Sequence, residues 1–152
     1  MKIETIRDVL RWTSALHQHL AQCASQKPGQ GSSPRVGMLL DYLVAHEKTL
    51  SKVIDNFERG ASLSVLNTWC YDYLENHPVK AHDDCAAPLG HMGTPDIIAE
   101  IERQHNHVIN LYKHLRNRVD TPSAQELIDQ LIDLEEHEAM RMNQSANRLE
   151  DL

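Results

Sequence analysis

Aromatic residues make up only 5% of the chain, with a single phenylalanine among them, too few for the stacking platforms that bind single-stranded nucleic acid. Basic residues are outnumbered, 15 against 22 acidic ones for a formal charge of −7, which argues against phosphate backbones and anionic lipid as partners. No apolar run approaches the ~18 residues of a membrane span. The opening MKIETIRDVLRW carries acidic residues where a secretory leader is basic and then apolar. Cysteine is scarce: Cys23, Cys70 and Cys85 are odd in number, widely spread and without a CxxC, which fits a reducing cytoplasm. A phosphate-binding glycine loop, a GxSxG turn and a solenoid repeat are missing as well.

What is present is a chain of 152 residues, 41% of them hydrophobic, enough for one core without disulfide or metal staples. It also has a surplus: ten histidines. Ser33-Pro34, Thr94-Pro95 and Thr121-Pro122 each read as a helix start, a hydroxyl to cap an orphan N–H followed by a proline tolerated in the first turn. Between these marks the apolar period is helical. It predicts four long helices over 4–25, 34–58, 95–118 and 122–149, and a shorter one over 62–76. That short stretch carries the stripe Leu63, Leu66, Trp69, Cys70 and Tyr73, suited to covering the bundle or to burial against a second copy of the chain as a homodimer. Short loops join the first two and the last two long helices, so each pair is expected to be antiparallel. Some 35 residues separate the second from the third, enough to cross the length of a bundle. The expectation is an all-α four-helix bundle in a single domain, with a long crossover that carries a short fifth helix.

The apolar stripes are interrupted. The second long helix reads Val36, Leu39, Leu43, His46, Leu50, Val53, Phe57, and the third reads Ile98, Ile101, His105, Val108, Tyr112, Leu115. The fourth reads Leu127, Leu131, Leu134, Glu138, Met142, Ser145, Leu149; on the first, Thr13, His17 and His19 lie at the stripe's border. All of these breaks fall at about the same height. One unpaired buried polar group costs roughly 1–3 kcal/mol, so groups that converge must satisfy one another or something bound between them. Imidazole and carboxylate together suit iron, and also manganese or zinc. The inner set is therefore expected to be His46, His105 and Glu138, with Glu102, Glu135 and Glu47 as supplementary carboxylates and His17 from the first helix.

Glu102-Arg103-Gln104-His105 is an ExxH, whose spacing puts both side chains on one helix face. With this motif and the hairpin–crossover–hairpin layout, the chain resembles the ferritin-like di-iron carboxylate superfamily, in which two helices give one Glu each and two give an ExxH each. The resemblance covers the four long helices. It implies a ferritin-like bundle, a metal centre at mid-height and redox chemistry with dioxygen or peroxide. The pattern departs from the family at Leu43, where an ExxH ending at His46 needs Glu, and at Glu135-x-x-Glu138, where His would complete the motif. Two other readings stay open. The polar layer can be a structural register device in a non-catalytic helical interaction module. The cluster His77, His82, Asp83, Asp84, Cys85 and His91 has zinc-ligand residue types without ligand spacing, so it reads as a polar loop.

Overall fold

Thr5 and Asp8 close a capping box at the start of the first helix in the computed structural model, which describes residues 3–26, 28–29, 31–70, 74 and 89–150. The Thr5 hydroxyl accepts from the Asp8 amide, and the Asp8 carboxylate accepts from the Thr5 and Glu4 amides. Orphan donors of the first turn are thereby satisfied. The described elements are α1 (Ile6–Ala24), α2 (Pro34–Gly60), the short α3 (Leu63–Leu66), a 3-10 turn (Leu89–His91), α4 (Thr94–Arg116) and α5 (Pro122–Glu150). The long helices stand within two residues of the limits predicted from the periodicity. No described helix is long and apolar enough to cross a membrane.

The proline-marked starts behave differently from one another. Thr121 does cap, its hydroxyl accepting from the Ala124 amide at 3.3 Å. Ser33 sits at the N-cap of α2 without a side-chain bond, and Thr94 is already helical, with Gly93 as the N-cap of α4. Proline in the first turn has set these two ends without the hydroxyl. Thr5→Ala should lower stability by about 1 kcal/mol, and so the melting midpoint by about 2–4 °C, in thermal unfolding followed by circular dichroism.

The direction of each helix follows from its cross-helix pairs. Arg11 meets Glu58 and His17 meets Glu47, so α1 and α2 are antiparallel. Lys113–Glu136 and Arg116–Asp129, both 3.0 Å, make α4 and α5 antiparallel. His46 faces Glu138, while Phe57 lines the same cavity as Ser123 and Leu127, so α2 and α5 are antiparallel as well. It follows that α2 and α4 run the same way. The chain must therefore return along the bundle between them, and its fixed points agree. At one end the Cys70 amide donates to Glu4 O at 2.6 Å, and at the other the Gly29 amide donates to Gly90 O at 2.8 Å. These points are separated by the length of α1, 19 residues, or about 30 Å at 1.5 Å per residue. Leu10, Leu39, Leu43, Ile101, Tyr112, Leu131 and Met142 fill one core between the four long helices.

The short helix is a correction. Within the part of the predicted 62–76 helix that is described without a break, 62–70, α3 ends after Leu66, and the backbone turns to pair with the residues before α1. Thr68 O accepts from the Ile6 amide, and Trp69 forms an isolated antiparallel bridge with Thr5. Strand-like pairing thus overrides the helical stripe. It leaves Leu63 69% and Trp69 57% exposed, so the stripe does not bury as one face; Tyr73 lies outside the described residues. Cys70 is a free, buried thiol that burial, helped by the Asp8 charge, pushes up to about 11. Cys23 is disulfide-bonded, which the odd count and wide spacing of the cysteines did not suggest.

Candidate metal centre

Some polar residues of the core are satisfied by their own surroundings. The Thr13 hydroxyl donates to Val9 O at 2.8 Å, and the Ser14 and Ser51 hydroxyls bond each other at 2.8 Å across the α1–α2 seam. The rest converge at mid-height, one from each long helix: His17, Glu47, His105 and Glu135, all with fully buried side chains. Glu47 is the hub. Its Oε2 lies 2.5 Å from His17 Nδ1, and its Oε1 lies 2.6 Å from His105 Nε2. The other nitrogen of His17, Nε2, is 2.8 Å from Glu135 Oε1. The two imidazoles meet edge to face, with centroids 5.4 Å apart.

Charge decides the protonation. Burial alone would strip the proton from His17, but the Glu135 and Glu47 carboxylates outweigh it and raise the group from 6.5 to about 10. His17 is thus an imidazolium donating from both ring nitrogens. Burial works against the charge of Glu47 too, yet His105 and His17 hold its carboxyl well below the usual carboxylate range. Tyr112 is pushed well above its ordinary value by burial and by the neighbouring Glu135 charge.

The network is incomplete. His105 Nδ1, Glu135 Oε2, His46 Nε2 and Tyr112 Oη are buried and, among the described residues, without a hydrogen-bond partner, although the Thr13 hydroxyl is close to Tyr112. Each such atom costs about 1–3 kcal/mol, and two of the four belong to the buried His/Glu group itself. His17, Glu47 and His105 each present a donor atom within 4.8 Å of the others. Atoms that share one ion at about 2.0–2.2 Å lie at most about 4.4 Å apart, so this group can hold a metal ion after closing in by tenths of an ångström.

The structure rearranges the set chosen from the stripes. Of the expected inner residues only His105 lies in the cluster. His46 is displaced to its edge, where Nδ1 is 3.5 Å from Glu138 Oε2; Glu138 is also paired with Arg141 at 3.3 Å. Burial, with His105 adding to it and Glu47 opposing, lowers the pKa of His46. Glu47 and Glu135, ranked as supplementary, are the carboxylates at the centre. Glu102 is half-buried on α4 and makes no hydrogen bond or ion pair among the described residues, so the ExxH does not assemble. His17 is the first-helix residue that enters; His19 instead places Nε2 3.5 Å from Cys23 Sγ. His91 is exposed on the 3-10 turn, and His77, His82, Asp83, Asp84 and Cys85 lie outside the described residues.

Comparison of the chain with protein-family models, with curated proteins and with solved structures finds no match. Function must therefore be argued from the site itself.

The sequence reading missed Tyr112 as part of the site, because a tyrosine in an apolar stripe reads as packing. Its position seven residues after His105 puts it two turns along the same face. There the Glu135 charge acts on its phenol.

Proposed function

We propose that this chain is a ferritin-like metal-binding protein that holds one divalent transition ion at the centre of its bundle, iron by preference, with manganese and zinc as the nearest competitors. The observation that carries the reading is the convergence of His17, Glu47 and His105 from three helices, fully buried, with unpartnered polar atoms around them. Two imidazoles and a carboxylate are the donors that suit ferrous iron. Both imidazoles would bind in their neutral form, and Glu47 and Glu135 would offset the two charges of the ion. The directions of α1, α2, α4 and α5 support the ferritin-like layout, and the ligands at mid-height fit it.

Bound iron would supply electron transfer toward dioxygen or peroxide. The protein's own residues set its surroundings. Leu43, Ile101 and Leu131 exclude water from the layers next to the site, and Tyr112 keeps its phenolic proton beside Glu135. Elemental analysis tests the proposal, on untagged protein expressed with added iron, manganese and zinc and purified without chelator. Close to one ion per chain is expected, lost in a His17→Ala/His105→Ala variant. No metal above the background of that variant would overturn the reading.

One observation favours a second reading, a non-catalytic, homodimeric helical module whose polar layer only fixes register. Both ring nitrogens of His17 find carboxylate partners within the protein, as those of a register device would. Metal-free protein from the same analysis would leave this as the surviving account.

A further inference from the structure

An ion bound by the inner set has no direct route to solvent, because His17, Glu47, His105 and Glu135 are all fully buried. Resting on the metal-binding reading, we infer that His46 and Glu138 form a loading station that passes a divalent cation between solvent and the buried set.

Three features support this. The pair bridges inside and outside: the His46 ring lies 6.2 Å from that of His105, its side chain is 7% exposed, and Glu138 beyond it is 18% exposed. The pair has unused capacity on its inner member, since His46 Nε2 is buried with no hydrogen-bond partner among the described residues. An imidazole nitrogen kept dry and unpaired is costly as structure and useful as a transient ligand. The pair is also braced on one side and loose on the other. Tyr42 stacks on the His46 ring with centroids 5.6 Å apart and planes 22° from parallel. Arg141 holds Glu138 Oε1 but is itself 63% exposed and free to swing away as a cation approaches.

A cation would first meet Glu138 Oε2, then His46, then Glu47, the next residue along α2. At each step one protein ligand replaces one water, so the ion never sheds its whole shell at once. A ligand that acts only in transit changes the rates of loading and unloading by the same factor and leaves the affinity alone. A permanent ligand changes capacity or affinity.

The test mixes metal-free full-length protein with cobalt(II) alone and follows the visible absorbance of the bound ion by stopped flow, then its release to a chelator. Glu138→Gln and His46→Gln are compared with wild type, with circular dichroism as the check on folding. Glu138 is near the surface, so its variant keeps the test informative if His46→Gln unfolds. The expected result is loading and release both slowed about tenfold or more, with the final spectrum and one-ion capacity unchanged. Wild-type rates in a folded Glu138→Gln variant would overturn the loading station while leaving the metal site standing. A loss of cobalt capacity in that variant would also overturn it, by making Glu138 a permanent ligand. Wild-type protein that takes up no cobalt, iron, manganese or zinc would remove the metal-binding reading and this inference together.

Discussion

Glu47→Leu is expected to abolish metal retention and to destabilise the metal-free protein by about 3–5 kcal/mol, the cost typical of removing one partner from a buried ion pair. The size follows from its place as hub. Glu47 accepts from both imidazoles at once, at 2.5 and 2.6 Å. With leucine there, His17 keeps only Glu135, and His105, whose Nδ1 has no partner among the described residues, loses its hydrogen bond to Glu47. The two rings would then sit 5.4 Å apart with no anion between them. Glu47→Gln keeps the volume and one acceptor but loses the charge, and should fall between wild type and leucine. Thermal unfolding of chelator-treated protein reads the effect as a fall in midpoint of about 10 °C for a domain of this size. A leucine variant that melts within 2 °C of wild type (roughly one kcal/mol or less) would show that the carboxylate is not the hub.

The second large effect is on protons. Because His17 is raised to about 10 in the metal-free protein, it is fully protonated at neutral pH, where an unperturbed histidine would be only about a quarter protonated. Binding of an ion must expel that proton. Calorimetric titration of metal at pH 7 in buffers of different ionisation enthalpy should therefore give close to one proton released per ion from this residue; release near zero would mean that His17 is not a ligand. Without metal, the same shift makes stability depend on pH in a defined direction. A histidine raised from 6.5 to about 10 contributes stability that is fully present below about 6.5 and lost as the pH rises through 10. Glu47, lowered from 4.5, contributes stability present above that value and lost as the pH falls below it. The metal-free protein should be most stable between those windows and lose several kcal/mol on the alkaline side, a slope that His17→Gln would flatten.

The helices were legible because their signals are redundant: apolar spacing, proline at the starts and loop lengths all agree along α1, α2, α4 and α5. The buried His/Glu layer was legible in residue type and height, but not in which residue of each helix enters it. On α2 the seam is two residues wide, with Leu39 and Leu40 both buried, then Leu43, then His46 and Glu47 side by side, then Leu50, Ser51 and Ile54. A one-residue stripe runs through His46 instead, because an imidazole looks less out of place there than a carboxylate. On α5 the apolar Leu134 drew the stripe toward Glu138, whereas the buried face is Ala124, Ile128, Leu131, Glu135, Met142 and Ala146. Only the positions of the neighbouring helices turn that face, and a single helix does not encode them. The failure of α3 has the same origin. Nothing within 62–76 announces that Trp69 will pair with Thr5, some 60 residues earlier.

The cluster draws its members evenly from the two halves of the chain. His17 and Glu47 belong to the hairpin of α1 and α2, and His105 and Glu135 to the hairpin of α4 and α5. Each hairpin supplies one imidazole and one carboxylate of that inner set, and the bond from His17 to Glu135 closes a loop over 118 residues. A nascent or half-folded chain therefore offers an ion only half of the set. On the metal-binding reading, capture would have to wait until the hairpins have come together, after which the ion would work as a bolt between them. Metal would leave early folding steps untouched and act instead on how rarely the finished protein comes apart.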